Sequence, residues 1–361
     1  MRRRSGALAG LGVLMVGPGG AWALEPDTLF PRGLAPLDLG ATATADHAAG
    51  ACAECHAAVS SEWAHSRHAV AWTNGIFQRE YQRQPLDWCV HCHAPLADTG
   101  VQGPPVVSAA ATEGVSCAVC HLRDGQILSA ARRDGSPHDT RVVPGFGGAD
   151  YCAGCHQFNF PVVEEDGRVV RYTDHPMQKT VAEFRAGPYA DQPGECLGCH
   201  GLTPAGHRYP GGHAPEALDD AVALDVCRAD RSTLRMVLSN VGAGHAIPTG
   251  DLHRHFQLRA WRETDPAHLY EAFIGRAFAP AEDDGKIVRL DTSILPRESR
   301  AFEVGFVALG GDAAAPFAVE LRYIYTPDEE PTARNSPGEP TYVVVEYHRY
   351  TPEEVAPCTE D

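Results

Sequence analysis

The chain has 361 residues, 12 cysteines, 18 histidines and a formal net charge of −17. That acidity argues against nucleic-acid binding and against adsorption to anionic lipid; it favours basic protein partners drawn by long-range attraction, or serves solubility alone. By length, two domains are the natural expectation.

In chain order, Met1 to Arg4 is basic, Gly6 to Val16 is a short apolar run, and Ala21-Trp22-Ala23 places small residues before Leu24. The pattern predicts a signal peptide over 1–23 and export to the periplasm or beyond the cell. A membrane anchor is disfavoured, because the apolar run is too short and is broken by Gly17-Pro18-Gly19-Gly20. No integral membrane segment is therefore expected after cleavage, which also removes Arg2, Arg3 and Arg4 and leaves the chain more acidic still. Residues 24–50, with Pro26, Pro31 and Pro36, have little periodicity and are read as a flexible lead-in.

From Cys52 to His213 cysteine and histidine crowd together while strand-like alternation is scarce. Residues 51–217 are read as a mainly helical and irregular domain. Beyond it, Leu234/Met236/Leu238, Phe256/Leu258/Ala260, Phe302/Val304/Phe306, Phe317/Val319/Leu321/Tyr323/Tyr325 and Tyr342 to Tyr347 alternate as half-buried strands do. Residues 218–361 are expected to form an all-β sandwich. Cys227 and Cys358 flank it, and in an oxidising compartment they are expected to pair.

The other ten cysteines fall into one repeat: Cys52/Cys55/His56, Cys89/Cys92/His93, Cys117/Cys120/His121, Cys152/Cys155/His156 and Cys196/Cys199/His200. Each is C-x-x-C-H, the attachment signature of c-type haem. Two thiols at this spacing form thioethers to the two vinyl groups of one porphyrin, and the adjacent imidazole becomes the proximal iron ligand. Zinc sites and thioredoxin-like pairs need C-x-x-C but no following histidine. Five such histidines by chance have odds on the order of one in three million from the composition, so five covalent haems are expected.

The sixth ligand follows from counting. Beyond the leader the methionines are Met177 and Met236, too few for five irons, whereas thirteen histidines lie outside the motif positions. Bis-histidine ligation and low potentials are the expectation. His207 and His213 lie in glycine-rich sequence after the last motif, and His245 lies in a Gly/Pro turn of the β region; these three are candidate distal ligands, with His175 in reserve. His65, His91, His253, His255, His268 and His348 are not favoured, and His47 is given no role.

The residues from Cys52 to His156 resemble the multihaem c-type cytochrome family, in particular its tetrahaem branch of ammonia oxidation and larger relatives ending in a β domain. The likeness rests on Trp63-x-x-Ser66-x-His68-Ala69, Asp87-Trp88-Cys89-Val90, Gly114-Val115-Ser116-Cys117 and the motifs between them. It implies His68 as distal ligand of the third haem, His138 as distal ligand of the first, and a five-coordinate second haem. The fifth motif and the β region depart from the tetrahaem pattern.

Electron relay between redox partner proteins, basic ones or other cytochromes, is therefore the expected role. The alternative is an oxidoreductase acting on a small nitrogen or sulfur compound at one open haem. Against a lysine-ligated catalytic haem stand the absence of C-x-x-C-K and a lysine complement of Lys179 and Lys286 alone.

Overall fold

The computed structural model describes residues 49–97 and 111–359 except 124, 133–134, 166, 204, 251, 282–284, 311–313 and 327–339. The expected leader, nearly all of the lead-in, and His47 lie outside the described residues. Among the described residues no helix is long and apolar enough to cross a membrane.

Each C-x-x-C-H segment is associated with a short helix: Ala49–Ala53, Asp87–His93, Cys117–His121, Ala149–His156 and Glu195–His200. Helical spacing suits the motif, since residues three and four apart share a face and bring both thiols and the imidazole to one side. Helices this short do not stand alone in water, so tertiary contacts must hold them. The Tyr151 hydroxyl donates to the Cys120 carbonyl, and the Glu195 carboxylate accepts from the Ala149 N–H. Glu113 accepts from Ala49 N–H at 2.9 Å.

Strands also run through this region, contrary to its expected helix-and-loop texture. β1 (Leu122–Arg123), β2 (Gln126–Ser129) and β3 (Thr140–Val142) form a small sheet in that order. β4 (Gln157–Val163) pairs antiparallel with β5 (Val169–Lys179). In β4 the buried residues are Phe158, Phe160 and Val162, a period of two that Pro161 obscures in the sequence.

The remaining strands are β6 (Val222–Arg228), β7 (Thr233–Asn240), β8 (His255–Arg262), β9 (Asp265–Pro280), β10 (Lys286–Asp291), β11 (Ser299–Gly305), β12 (Phe317–Ile324) and β13 (Tyr342–Tyr350). They form a five-stranded sheet, β10-β9-β8-β12-β13, and a three-stranded sheet, β11-β7-β6. Alternation along β7 and β8 buries Leu234, Met236 and Leu238 from one sheet against Phe256, Leu258 and Ala260 from the other, within a single apolar core. Phe306 leaves the predicted alternation: β11 stops at Gly305, and a 3-10 turn, Phe306–Leu309, carries Phe306 into the core. Cys227 and Cys358 are disulfide-bonded with Cα atoms 4.9 Å apart, as expected.

The two regions are joined by specific contacts. Arg276 of β9 donates to the carbonyls of Pro176 and Met177 in β5 and of Gly250 after β7, at 2.7 to 3.0 Å. Phe160 and Phe278 meet edge to face, and Lys179 pairs with Asp291 at 2.6 Å.

Candidate haem sites

Four motif histidines each face one histidine from elsewhere in the chain. Ring centres are 6.2 Å apart for His56 and His138, 6.3 Å for His68 and His156, 6.1 Å for His121 and His207, and 6.3 Å for His200 and His245. Two imidazoles on opposite sides of one metal, with bonds of about 2 Å each, hold their ring centres roughly 6 Å apart. The residues therefore fit irons with an imidazole on each side.

Protonation agrees with that use. Burial, reinforced by His156 and His200, pushes His68 down to about 4. Burial also takes His245 to about 4, against the opposing pull of the Ala246 carbonyl. His121 and His156 are lowered, again chiefly by burial. A neutral imidazole is the form that binds a metal. The second ring nitrogen is oriented in several cases: Nδ1 lies 2.9 Å from the Leu128 carbonyl for His121, 2.6 Å from Pro210 for His200, 2.7 Å from Ala205 for His207 and 2.9 Å from Ala246 for His245. Such contacts fix ring orientation and raise ligand basicity.

His138 stands with the first motif, its ring facing that of His56. His68 does not stand with the third. Its backbone lies beside that motif, with the His68 carbonyl accepting from Val115 N–H at 3.0 Å, but its ring reaches the fourth motif histidine, His156. Gly114 permits this close passage: its φ is +68°, and a Cβ there would lie 2.5 Å from the His68 carbonyl oxygen. His207 takes the place opposite His121.

His245 comes from the loop between β7 and β8, so the sandwich itself contributes to the fifth site. Buried Asn240 shapes that loop, donating to the carbonyls of His245 at 2.9 Å and Ile294 at 3.1 Å. His213 is not brought to a motif histidine in the described contacts, contrary to expectation. It stacks on Tyr325, ring centres 3.9 Å and planes 11° apart, and burial followed by Arg254 and Arg67 pushes it down to about 3. Gly212 makes the approach possible, since a Cβ would lie 2.6 Å from the Tyr323 ring. His175 lies in β5, which runs directly into the helix Thr180–Ala186.

At the second motif, His93 Nδ1 is 2.8 Å from the Ala71 carbonyl, and its ring is stacked on Phe77 with centres 3.6 Å and planes 5° apart. Trp72 and Tyr81 extend this aromatic wall. Phe77, Glu62 and Tyr209 belong to the sites without having been singled out in the sequence. Tyr209 has a positive φ of 48° and packs its ring 4.8 Å from His68 and 5.8 Å from His207. Their contacts to His93, His68 and the loop before His207 span 16 residues or more, so no local pattern marks these residues.

The motif segments adjoin one another. Ala49, ahead of the first motif, donates to Glu113, ahead of the third; Tyr151 in the fourth-motif helix donates to the Cys120 carbonyl; and Glu195 beside the fifth motif accepts from Ala149. Trp88 of the second-motif helix meets Phe158, just after the fourth motif, edge to face with ring centres 6.2 Å apart. The first motif thus adjoins the third, and the fourth adjoins the second, third and fifth.

The family model of cytochrome c554 and c-prime matches residues 51–122. The resemblance is to multihaem c-type cytochromes. A penta-haem cytochrome c552 from Thermochromatium tepidum has a similar fold, with a TM-score of 0.66 at 20% identity over 84% of this chain and 98% of that chain. A search of curated proteins finds no match. The matched residues contain the first three C-x-x-C-H motifs, so c-type haem fits the chain.

Proposed function

We propose that the protein is an exported cytochrome that binds five covalent haems and relays single electrons through them. Cys52, Cys55, Cys89, Cys92, Cys117, Cys120, Cys152, Cys155, Cys196 and Cys199 would hold the porphyrins, and His56, His93, His121, His156 and His200 would be proximal ligands. His138, His207, His68 and His245 would be distal ligands of the first, third, fourth and fifth haems. Each haem, when bound, supplies an iron that cycles between ferric and ferrous states.

The observation carrying this reading is that four of the motif histidines each face a second imidazole, with ring centres 6.1 to 6.3 Å apart, in motifs whose segments adjoin one another. Facing imidazoles also suit relay, because six-coordinate iron can exchange electrons without binding a substrate. The division into 1–23, 24–50, 51–217 and 218–361 belongs to the same proposal, as does a periplasmic or extracellular location. Acidity supports basic redox partners or other cytochromes.

The test is the intact mass of the matured protein combined with a redox titration. Five haem masses, five electrons taken up and rapid redistribution after partial reduction are expected. Four haems or fewer in cells with a working maturation system, or haems that fail to exchange electrons, would overturn the reading.

A further inference from the structure

The helix Ala57–Ala64 follows the first motif, yet two consecutive residues on it reach opposite sides of the third site. Trp63 donates through Nε1 to the Val115 carbonyl at 2.8 Å, just ahead of Cys117. Glu62 reaches the other side, more than 140 positions along the chain. Its Oε2 accepts from Thr203 Oγ1 at 2.7 Å and from the His207 N–H at 3.0 Å, and its Oε1 accepts from the Ala205 N–H at 2.9 Å.

Thr203, Ala205 and His207 belong to no helix or strand, and Gly206 between them has a φ of +71°. A turn bond, from the Gly206 N–H to the Thr203 carbonyl at 2.9 Å, shapes the segment locally but does not anchor it to the rest of the fold. One carboxylate ties it at alternate residues, and bonds to an ionised acceptor are about twice as strong as neutral ones. Two of the three bonds come from backbone N–H groups, so the loop is oriented as well as located. The Ala205 carbonyl, set by the same contacts, lies 2.7 Å from His207 Nδ1 and fixes the ring.

We propose that Glu62 is the positioning residue of His207: its carboxylate holds the loop so that the imidazole stands opposite His121. The proposal rests on His207 being the distal ligand of the third haem. Trp63 braces the attachment side from the same helix turn, so one short helix sets both sides of that site.

The test uses the full holoprotein with Glu62→Ala, Glu62→Gln and His207→Ala variants, each checked by mass for an unchanged haem complement. Glutamine keeps the length of the side chain, but its amide nitrogen cannot accept a hydrogen bond, so at least one bond is lost. The readouts are the electron paramagnetic resonance spectrum of the oxidised protein and the rate of carbon monoxide binding to the reduced one. Carbon monoxide must displace the distal imidazole, so its rate reports how firmly that ring is held.

His207→Ala should turn one haem high-spin. Glu62→Ala should shift the low-spin signal of that haem alone and speed its carbon monoxide binding by about tenfold or more, the scale of one charge-assisted hydrogen bond. Glu62→Gln should fall between, with the other haems unchanged. If His207→Ala produces the high-spin haem while both Glu62 variants retain the wild-type signal and rate, Glu62 does not position the ring. If His207→Ala leaves every haem low-spin, the ligand assignment fails and the proposal falls with it. Should Glu62→Ala fail to mature, Glu62→Gln decides on the same two readouts.

Discussion

The two halves of the described fold are held together by different material. In the sandwich, Leu234, Met236, Leu238, Leu258, Ile274, Phe317, Val319 and Leu321 are fully excluded from solvent in one continuous core. The cysteine-rich region has only small separate clusters, such as Leu128/Val143/Tyr151, Ala149/Ala153/Val181/Phe184 and Val90/Ala94. Stability from apolar burial grows with the area removed from water, and clusters of two to four side chains remove little. Side-chain packing accounts for the interior of the sandwich, and the small clusters of the other region are what porphyrin faces would complete.

Withholding haem should separate the two regions. A chain made without maturation should lose its cysteine-rich region to limited proteolysis and keep a resistant fragment spanning β6 to β13. Mass spectrometry of the digest identifies the survivor. Equal resistance in both halves would mean that the region before β6 has a sufficient core of its own.

The sandwich can be weakened independently. Replacing both Cys227 and Cys358 by Ser opens a link across 131 positions and should cost the sandwich up to about 4 to 5 kcal/mol in the chain-entropy model. Denaturant unfolding followed by tryptophan fluorescence checks it, with visible absorbance reporting the haem region separately. An unaltered midpoint would show that the tail is held by other contacts, such as Arg228 Nε donating to the Val355 carbonyl at 2.7 Å. Leu258→Ala is expected to cost about 2 to 5 kcal/mol by opening a cavity, again with the larger effect on the sandwich. A haem-region transition that moved equally in both experiments would make the halves one cooperative unit.

How much was legible in the sequence follows from the same contrast. A haem attachment site is a five-residue pattern, so its candidate residues are legible locally. A distal ligand is chosen by the tertiary path. His68 passes beside the third motif with its backbone and turns its ring to the fourth, a distinction no spacing rule records. His213 sits in the same glycine-rich sequence as His207, but Gly212 passes close to the Tyr323 ring and His213 stacks on Tyr325 instead. Strands with one wet and one dry face, such as β7 and β8, announced themselves by alternation. β9 did not, because from Asp265 to Phe273 none of its residues is buried and its buried stretch, Ile274 to Arg276, is continuous.

The smallest expected effect sharpens the comparison at the seam between the halves. Glu183 is buried there, accepting from Thr249 Oγ1 at 2.7 Å, with Lys179 Nζ 3.3 Å away. Burial raises its pKa, opposed by the Thr249 bond, Lys179 and Arg276. A carboxyl with a raised folded pKa binds its proton more tightly in the folded state. Its contribution to stability is fully present below the ordinary carboxylate pKa and is lost as pH rises through the folded value. Glu183→Gln removes this titration, and Gln Oε1 can still accept from Thr249, while Lys179 keeps Asp291 at 2.6 Å. Measured from acidic to neutral pH, wild-type stability should therefore fall relative to Glu183→Gln, with the two converging below the ordinary carboxylate range. Pairing wild type with the variant at each pH cancels the titration of groups common to both. A variant that is less stable by the same amount at every pH would mean that the Glu183 contacts act through shape alone, leaving the seam indifferent to this charge.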